Sequence, residues 1–110
     1  MIINNIKFDL KNEYNEQEIT YAKKLAECYE NELPKIVDFI LNNDDFKSFY
    51  GEYNLNEKSI VEKLNMPNIR ILNENSGVVT YTEHLFDDTH IISFEFMGLF
   101  EKLTYLSIDG

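Results

Sequence analysis

The sequence predicts an α+β fold, because its hydrophobic period changes near Pro67. Before that proline, apolar residues recur every three or four positions, which is typical of helices packed on a core. After it, apolar and polar residues alternate, which is typical of half-buried strands. A short alternating segment also lies at the N-terminus. We therefore predict one strand, a helical block and a four-stranded antiparallel meander, in two layers with the helices on one face of the sheet.

The N-terminal strand is predicted over residues 2–10, whose alternation suits a position at or near a sheet edge. From Asn15 the helical period begins, and it predicts a core-facing helix to about Asn31. Pro34 is favoured in the first turn of a helix. The apolar residues after it belong either to a second helix or to a kinked continuation of the first.

Two shorter helical segments complete the block. Asn43 and the two aspartates after it offer caps for a short aromatic segment that Gly51 can end. Asn56 caps a further segment with one apolar face, and Pro67 closes the block.

The four strands of the meander are separated by residues that favour turns. We expect strands around residues 69–71, 79–81, 92–96 and 103–108, with turns at residues 75–77, 87–88 and 97–98. A two-residue loop at Asp87-Asp88 would place Tyr81 opposite Phe94. It would also place His84 on the polar sheet face.

Length and composition favour one folded unit. The chain has 110 residues, of which 44% are hydrophobic, so we expect a single domain over residues 1–110. The N-terminus has no secretory signal pattern, and the single cysteine, Cys28, cannot form an internal disulfide. No apolar run approaches the roughly 20 residues that cross a bilayer. We expect a cytoplasmic protein.

The charge is strongly acidic and unevenly placed. Twenty Asp and Glu oppose ten Lys and Arg, and after Arg70 seven acids are offset only by Lys102. Such a surface repels nucleic acid and anionic membranes and attracts basic partners. We therefore expect a basic protein as the partner, and neither nucleic acid nor a membrane.

The segment from His84 to His90 looks most like a catalytic or metal site, with four potential ligands in seven residues. The predicted register, however, places its two histidines on different sides of the sheet, where they cannot share a metal. Cys28 has no local base, and the chain has no glycine-rich phosphate loop. We predict no catalytic residue, no metal site and no cofactor.

Two regions look like recognition surfaces. In residues 44–53, acids alternate with aromatics, as in a binder of a basic protein, although these aromatics could instead fold onto the core. The second region is the polar sheet face with its acidic turn, which could equally be a plain solvated face. The predicted contacts are Asp44, Asp45, Phe46, Phe49, Tyr50, Glu52 and Tyr53 in the first region, and Glu83, His84, Asp87, Asp88 and Glu95 in the second.

In size, acidity and order of strands and helices, the whole chain resembles the immunity proteins of bacterial toxin–immunity systems, including contact-dependent inhibition. Its C-terminal stretch runs from residue 90 to residue 110 and is similar to the final hairpin of small bacterial domains of this sort. The resemblance implies a non-catalytic protein that binds and neutralises a cognate basic toxin domain. Two alternatives stay open: a DNA-mimicking inhibitor of a nucleic-acid-binding protein, and a small enzyme with a site around His84.

Overall fold

In the computed structural model, which describes residues 1–110, three α-helices cover one face of a six-stranded mixed sheet. The α+β class is therefore confirmed. None of the helices combines the length and the apolar character needed to cross a membrane. The elements are β1 (Ile2–Ile3), β2 (Ile6–Asp9), α1 (Glu16–Leu41), α2 (Asp44–Tyr50), a 3₁₀ turn (Gly51–Tyr53), α3 (Glu57–Leu64), β3 (Asn68–Asn73), β4 (Ser76–Tyr81), β5 (Ile91–Met97) and β6 (Lys102–Asp109).

The sheet is larger than the predicted meander. Strands β3 to β6 pair antiparallel in succession, but β2 pairs parallel with β3 and β1 pairs antiparallel with β2. A parallel pair needs a long crossover, and the whole helical block supplies it between β2 and β3. The N-terminal strand thus joins the same sheet and makes it mixed.

The N-terminal segment is a hairpin and not one continuous strand. Asn4 and Asn5 both have positive φ, at 51° and 68°, and they connect β1 to β2. Two consecutive positive φ values are characteristic of a type I′ turn, which asparagine tolerates better than most residues. The prediction of a single strand over residues 2–10 is wrong for this reason.

Helix α1 continues across Pro34 to Leu41, so of the two alternatives the continuation is correct. Pro34 is exposed, while Tyr29 before it and Ile36 after it are buried on the core side. Proline inside a helix costs about 3 kcal/mol. Burial of the apolar face on both sides of Pro34 outweighs that local cost.

The core is one cluster of 25 buried apolar residues between the helices and the sheet. On β4 the residues Gly77, Val79 and Tyr81 are buried, and the residues between them are less so. The same alternation runs along β3 and β5. The opposite side of the sheet carries no helix, and we call it the open face.

The register between β4 and β5 differs from the prediction by two residues. Tyr81 pairs with Ile92, and Val79 pairs with Phe94. The reason is that β4 ends at Tyr81, so that residues 82–90 form an irregular loop in place of the predicted turn at residues 87–88. Because strand side chains alternate with a period of two, the shift leaves every strand residue on its predicted face.

Candidate functional site

The loop 82–90 packs against α2 and brings parts of the two predicted recognition regions together. The hydroxyl of Tyr50 donates a hydrogen bond to Oδ2 of Asp87 at 2.6 Å. The ring of Phe49 meets the ring of His90 at a centroid distance of 4.9 Å. Phe46 and Phe86 pack edge to face nearby, at 5.3 Å. Segments 40 residues apart in the sequence therefore form one surface.

We call this surface the acidic patch and define it as α2, the 3₁₀ turn and the loop 82–90. Apolar side chains are exposed among its acids: Phe49 (48% exposed), Tyr53 (62%) and Leu85 (63%). Acids in the first turn of α2 also stabilise the helix through its dipole. The exposed carboxylates of the patch are Asp44, Asp45, Glu52, Glu83 and Asp88.

Asp87 is a charge of the patch that hydrogen bonds hold in place. Its Oδ1 accepts hydrogen bonds from the backbone N–H groups of Thr89 and His90, at 3.2 and 3.0 Å. Its Oδ2 accepts from the Tyr50 hydroxyl and from Nδ1 of His90, the latter at 2.8 Å. Burial acts to raise the pKa of Asp87, but these hydrogen bonds outweigh it and hold that pKa well below the usual range. The carboxylate is therefore ionised and held in one orientation.

Tyr50 is the other half of this interaction. Burial, followed by the hydrogen bond to Asp87 and the charge of Asp87, raises the pKa of the Tyr50 hydroxyl. The hydroxyl therefore stays protonated and remains a donor. Tyr50 and Asp87 together attach the loop to α2.

Three of the predicted contact residues are buried and cannot contact a partner directly. Phe46 and Tyr50 are each 2% exposed, since they pack against Phe86 in the core. His84 is 5% exposed, because it lies in the loop and turns inward. The prediction that these three make direct surface contacts is corrected: they support the patch from below.

Both ring nitrogens of His84 are occupied within the chain. Nδ1 accepts a hydrogen bond from the backbone N–H of Phe86 at 3.2 Å, and Nε2 lies 2.7 Å from the carbonyl oxygen of His90. The neutral tautomer with the proton on Nε2 satisfies both contacts. His84 thus closes the loop on itself.

Glu95 belongs to a different surface. It lies on β5 between the buried Phe94 and Phe96, and its side chain is exposed on the open face. Thr80 and Ser93, which the sequence places on the same polar face, pair directly with each other there. The predicted second region is therefore divided: its loop joins the acidic patch, and its strand residues do not.

A groove of about 210 Å³ opens beside α2. Leu41, Phe46, Tyr50 and Leu55 provide its apolar lining, and Lys47 lies at its side. Such a volume is below the size of a typical small-molecule pocket.

Leu85 is a surface residue that sequence reasoning missed. It lies between His84 and Phe86, both of which are buried. Its backbone N–H donates to the carbonyl oxygen of Lys63 at 2.7 Å, which holds the loop against the end of α3. The sequence gives only one indication of this exposure, the position of Leu85 between two residues that alternate with it. The predicted hairpin register assigned these residues to other faces.

The single thiol and the other potential metal ligands lie in surroundings that do not favour chemistry. Burial, followed by the negative charge of Glu32, raises the pKa of the Cys28 thiol, which disfavours the nucleophilic thiolate. No three His, Cys, Asp or Glu side chains come together in an arrangement that could hold a metal ion.

Comparisons of this chain with protein-family models, with curated proteins and with solved structures found no match. The chemistry of the acidic patch is therefore the guide to its function. That patch combines fixed negative charge with exposed aromatic rings, and a partly apolar groove opens beside α2.

Proposed function

We propose that this protein is a non-catalytic immunity protein, which binds and neutralises a cognate basic toxin domain through the acidic patch. The observation that carries the proposal is the convergence of α2 and the loop 82–90 through Tyr50 and Asp87. It gathers carboxylates from two distant segments around exposed apolar side chains. Interfaces commonly combine such apolar anchors with a polar rim.

Preorganisation supports this assignment. Asp87 accepts four hydrogen bonds within the chain, so its loop loses little freedom when a partner binds. Rigid binding surfaces avoid part of the ordering cost of association. Phe49 is similarly held by its contact with His90, while about half of its surface stays open to a partner.

The mechanism that follows is occlusion. A toxin site that binds phosphate groups carries Lys or Arg, and the carboxylates of the patch occupy the positions of those phosphates. Complementary charge steers association, and close charge pairs across an interface can couple by roughly 1.5 to 7 kcal/mol. Neutralisation therefore requires no reaction in the immunity protein itself.

The proposal expects a toxin gene beside this one. The test is co-expression with the toxin that such a gene encodes, followed by association kinetics with the purified toxin domain. Charge reversal at Asp44, Asp45 and Glu52 is expected to abolish protection and to slow association strongly at low salt. The control is Glu95→Lys on the open face, and it is compared with the reversal of each patch acid singly, which changes the net charge by the same amount. Protection that survives reversal of the patch, or that is lost only in the control, contradicts the proposed site.

The two alternatives have less support. A DNA mimic needs phosphate-like rows of carboxylates, and Lys23 and Lys24 interrupt the acids of α1. An enzyme centred on His84 needs a free ring nitrogen, and both nitrogens of His84 are engaged in hydrogen bonds. A His84→Asn variant that folds and still protects cells would show that protection does not depend on this imidazole, and a variant that loses no biological activity would remove the enzyme alternative.

A further inference from the structure

Strand β6 forms one edge of the sheet, and no element of the chain pairs with its outer side. It runs for eight residues, Lys102–Asp109, and contains no proline, whereas β1 at the other edge has only two residues. An exposed edge of this length presents unpaired backbone groups that can template pairing with another chain.

The sequence of β6 is complementary to itself when two copies run antiparallel. A two-fold axis between Tyr105 and Leu106 places Lys102 opposite Asp109 of the second copy. By symmetry, Asp109 lies opposite Lys102 of the second copy at the other end of the seam. Both side chains are exposed, so an ion pair forms at each end of the seam. Between the ends, Leu103 faces Ile108, and Thr104 faces Ser107.

The directions of the side chains agree with this register. Leu103 and Ile108 pair with Phe96 and Ile92 on β5, which places them on the helix side, where they are only partly buried. Lys102 pairs with the exposed Met97, on the open face. Directly opposed residues in an antiparallel pair point to the same face. A shift by one residue would place Leu103 opposite Ser107 and lose both ion pairs.

The irregularity in β6 lies at the proposed axis. Thr104 pairs with Glu95 and Ser107 with Ser93, so Tyr105 and Leu106 together oppose Phe94 in a β-bulge. Tyr105 has a φ of 56° and is 80% exposed. The bulge therefore interrupts the seam only at its centre and leaves three paired positions on either side.

We propose that β6 is a self-association edge, and that its occupant is β6 of a second copy of this chain in a two-fold symmetric dimer. The interface is isologous, as in most homodimers. Charge complementarity and matched apolar positions carry the inference, which does not depend on the proposed toxin. Because the strands run antiparallel, the two acidic patches lie towards opposite ends of the seam.

The test is sedimentation velocity over a concentration series of the purified full chain. The wild type is expected to dimerise with rising concentration. Lys102→Asp or Asp109→Lys replaces two attractive pairs by two repulsive ones, so the dissociation constant should rise about tenfold. The double variant Lys102→Asp/Asp109→Lys restores opposite charges across the seam and should recover the wild-type dimer.

The matched control is Lys7→Asp, which makes the same substitution at an exposed position on β2. Every variant is expected to fold, because the changed side chains are exposed, and circular dichroism checks this. A wild type that stays monomeric throughout overturns the proposal. So does a dimer that single reversals do not weaken, or one that the double variant fails to restore.

Discussion

The hydroxyl of Tyr50, in α2, donates a 2.6 Å hydrogen bond to Oδ2 of Asp87, 37 residues further along the chain. Tyr50 is buried against Phe86, while Asp87 lies in the loop that follows β4. This contact attaches the acidic loop to the aromatic helix. The arrangement of the acidic patch depends on it.

Removal of the hydroxyl tests the strength of this attachment. Tyr50→Phe keeps the ring packing and deletes a hydrogen bond to a charged acceptor, so the free energy of unfolding should fall by about 1.5 to 3 kcal/mol. Urea denaturation measures the change. Tyr53→Phe is the matched control, because that ring is mostly exposed, and it should change stability by less than about 0.5 kcal/mol. Equal effects of the two variants would show that the hydrogen bond has no role in stability.

The lowered pKa of Asp87 predicts a loss of stability in acid. Its pKa in the folded protein is below the ordinary value of 3.8, so the ionised carboxylate stabilises the fold above about pH 4. That contribution is lost as the pH falls below this value towards the folded-state pKa. The free energy of unfolding should therefore depend less on pH in Asp87→Asn than in the wild type between about pH 4 and pH 2. Asp88→Asn, at the exposed neighbour, should retain the wild-type slope.

The buried hydroxyls of Tyr29 and Tyr81 lie 2.6 Å apart and predict a non-additive pair of mutations. Each single change to Phe leaves the other hydroxyl buried without its partner, at a cost of about 1 to 3 kcal/mol. The double variant removes both polar groups and should be less destabilised than the sum of the two single variants. A double-mutant cycle by urea denaturation measures this coupling. Additive costs would mean that the two hydroxyls do not depend on each other.

Gly77 is a position where the neighbouring atoms leave no room for a side chain. A Cβ atom there would lie 2.5 Å from the carbonyl oxygen of Arg70 and 2.7 Å from the ring of Phe96. Gly77→Ala should therefore destabilise the protein by about 1 to 3 kcal/mol. Gly51→Ala is the control, because a Cβ at Gly51 meets no atom within 4 Å and its φ is −61°. The control should be neutral or stabilising by up to about 1 kcal/mol, and a similar loss in both variants would contradict the packing argument.

Glu18 is a buried acid that supports the connection between β2 and α1. Its Oε1 accepts hydrogen bonds from the backbone N–H groups of Lys11 and Asn12, at 2.9 and 3.4 Å. Glu18→Ala removes two hydrogen bonds to a charged acceptor and should cost about 1 to 3 kcal/mol of stability. Glu18→Gln keeps an acceptor and should cost less. Thermal unfolding measures the stability of both variants. The control is Glu16→Ala, at an exposed position of the same turn, which removes a negative charge without removing these two hydrogen bonds.

Features set by neighbouring residues were predictable from the sequence. The predicted caps Asn43 and Asn56 accept from the backbone at the starts of α2 and α3, and Asn15, where the helical period was predicted to begin, caps α1 in the same way. The alternation of β5 likewise places Glu95 opposite the core face. A cap or a face depends on residues two to four positions away, so one sequence is enough to recognise it.

Features that depend on distant contacts were not predictable in the same way. The sequence predicts a hairpin turn in the segment that contains His84, because its turn residues and apolar stripe suit one. The structure instead bonds this loop to α2 through Asp87 and to α3 through Leu85. No local pattern reports such contacts, since their energy comes from residues far away in the chain.

The amino-acid sequence by itself determined the α+β class, the helix caps, the faces of the strands and the acidity of the C-terminal half. Only the tertiary structure decided that β2 lies parallel to β3, that α1 continues through Pro34, and that Tyr50 meets Asp87. The physical reason is the range of the interactions involved. Hydrophobic period and capping act within one or two turns of backbone, whereas strand order and surface assembly follow from burying a shared core.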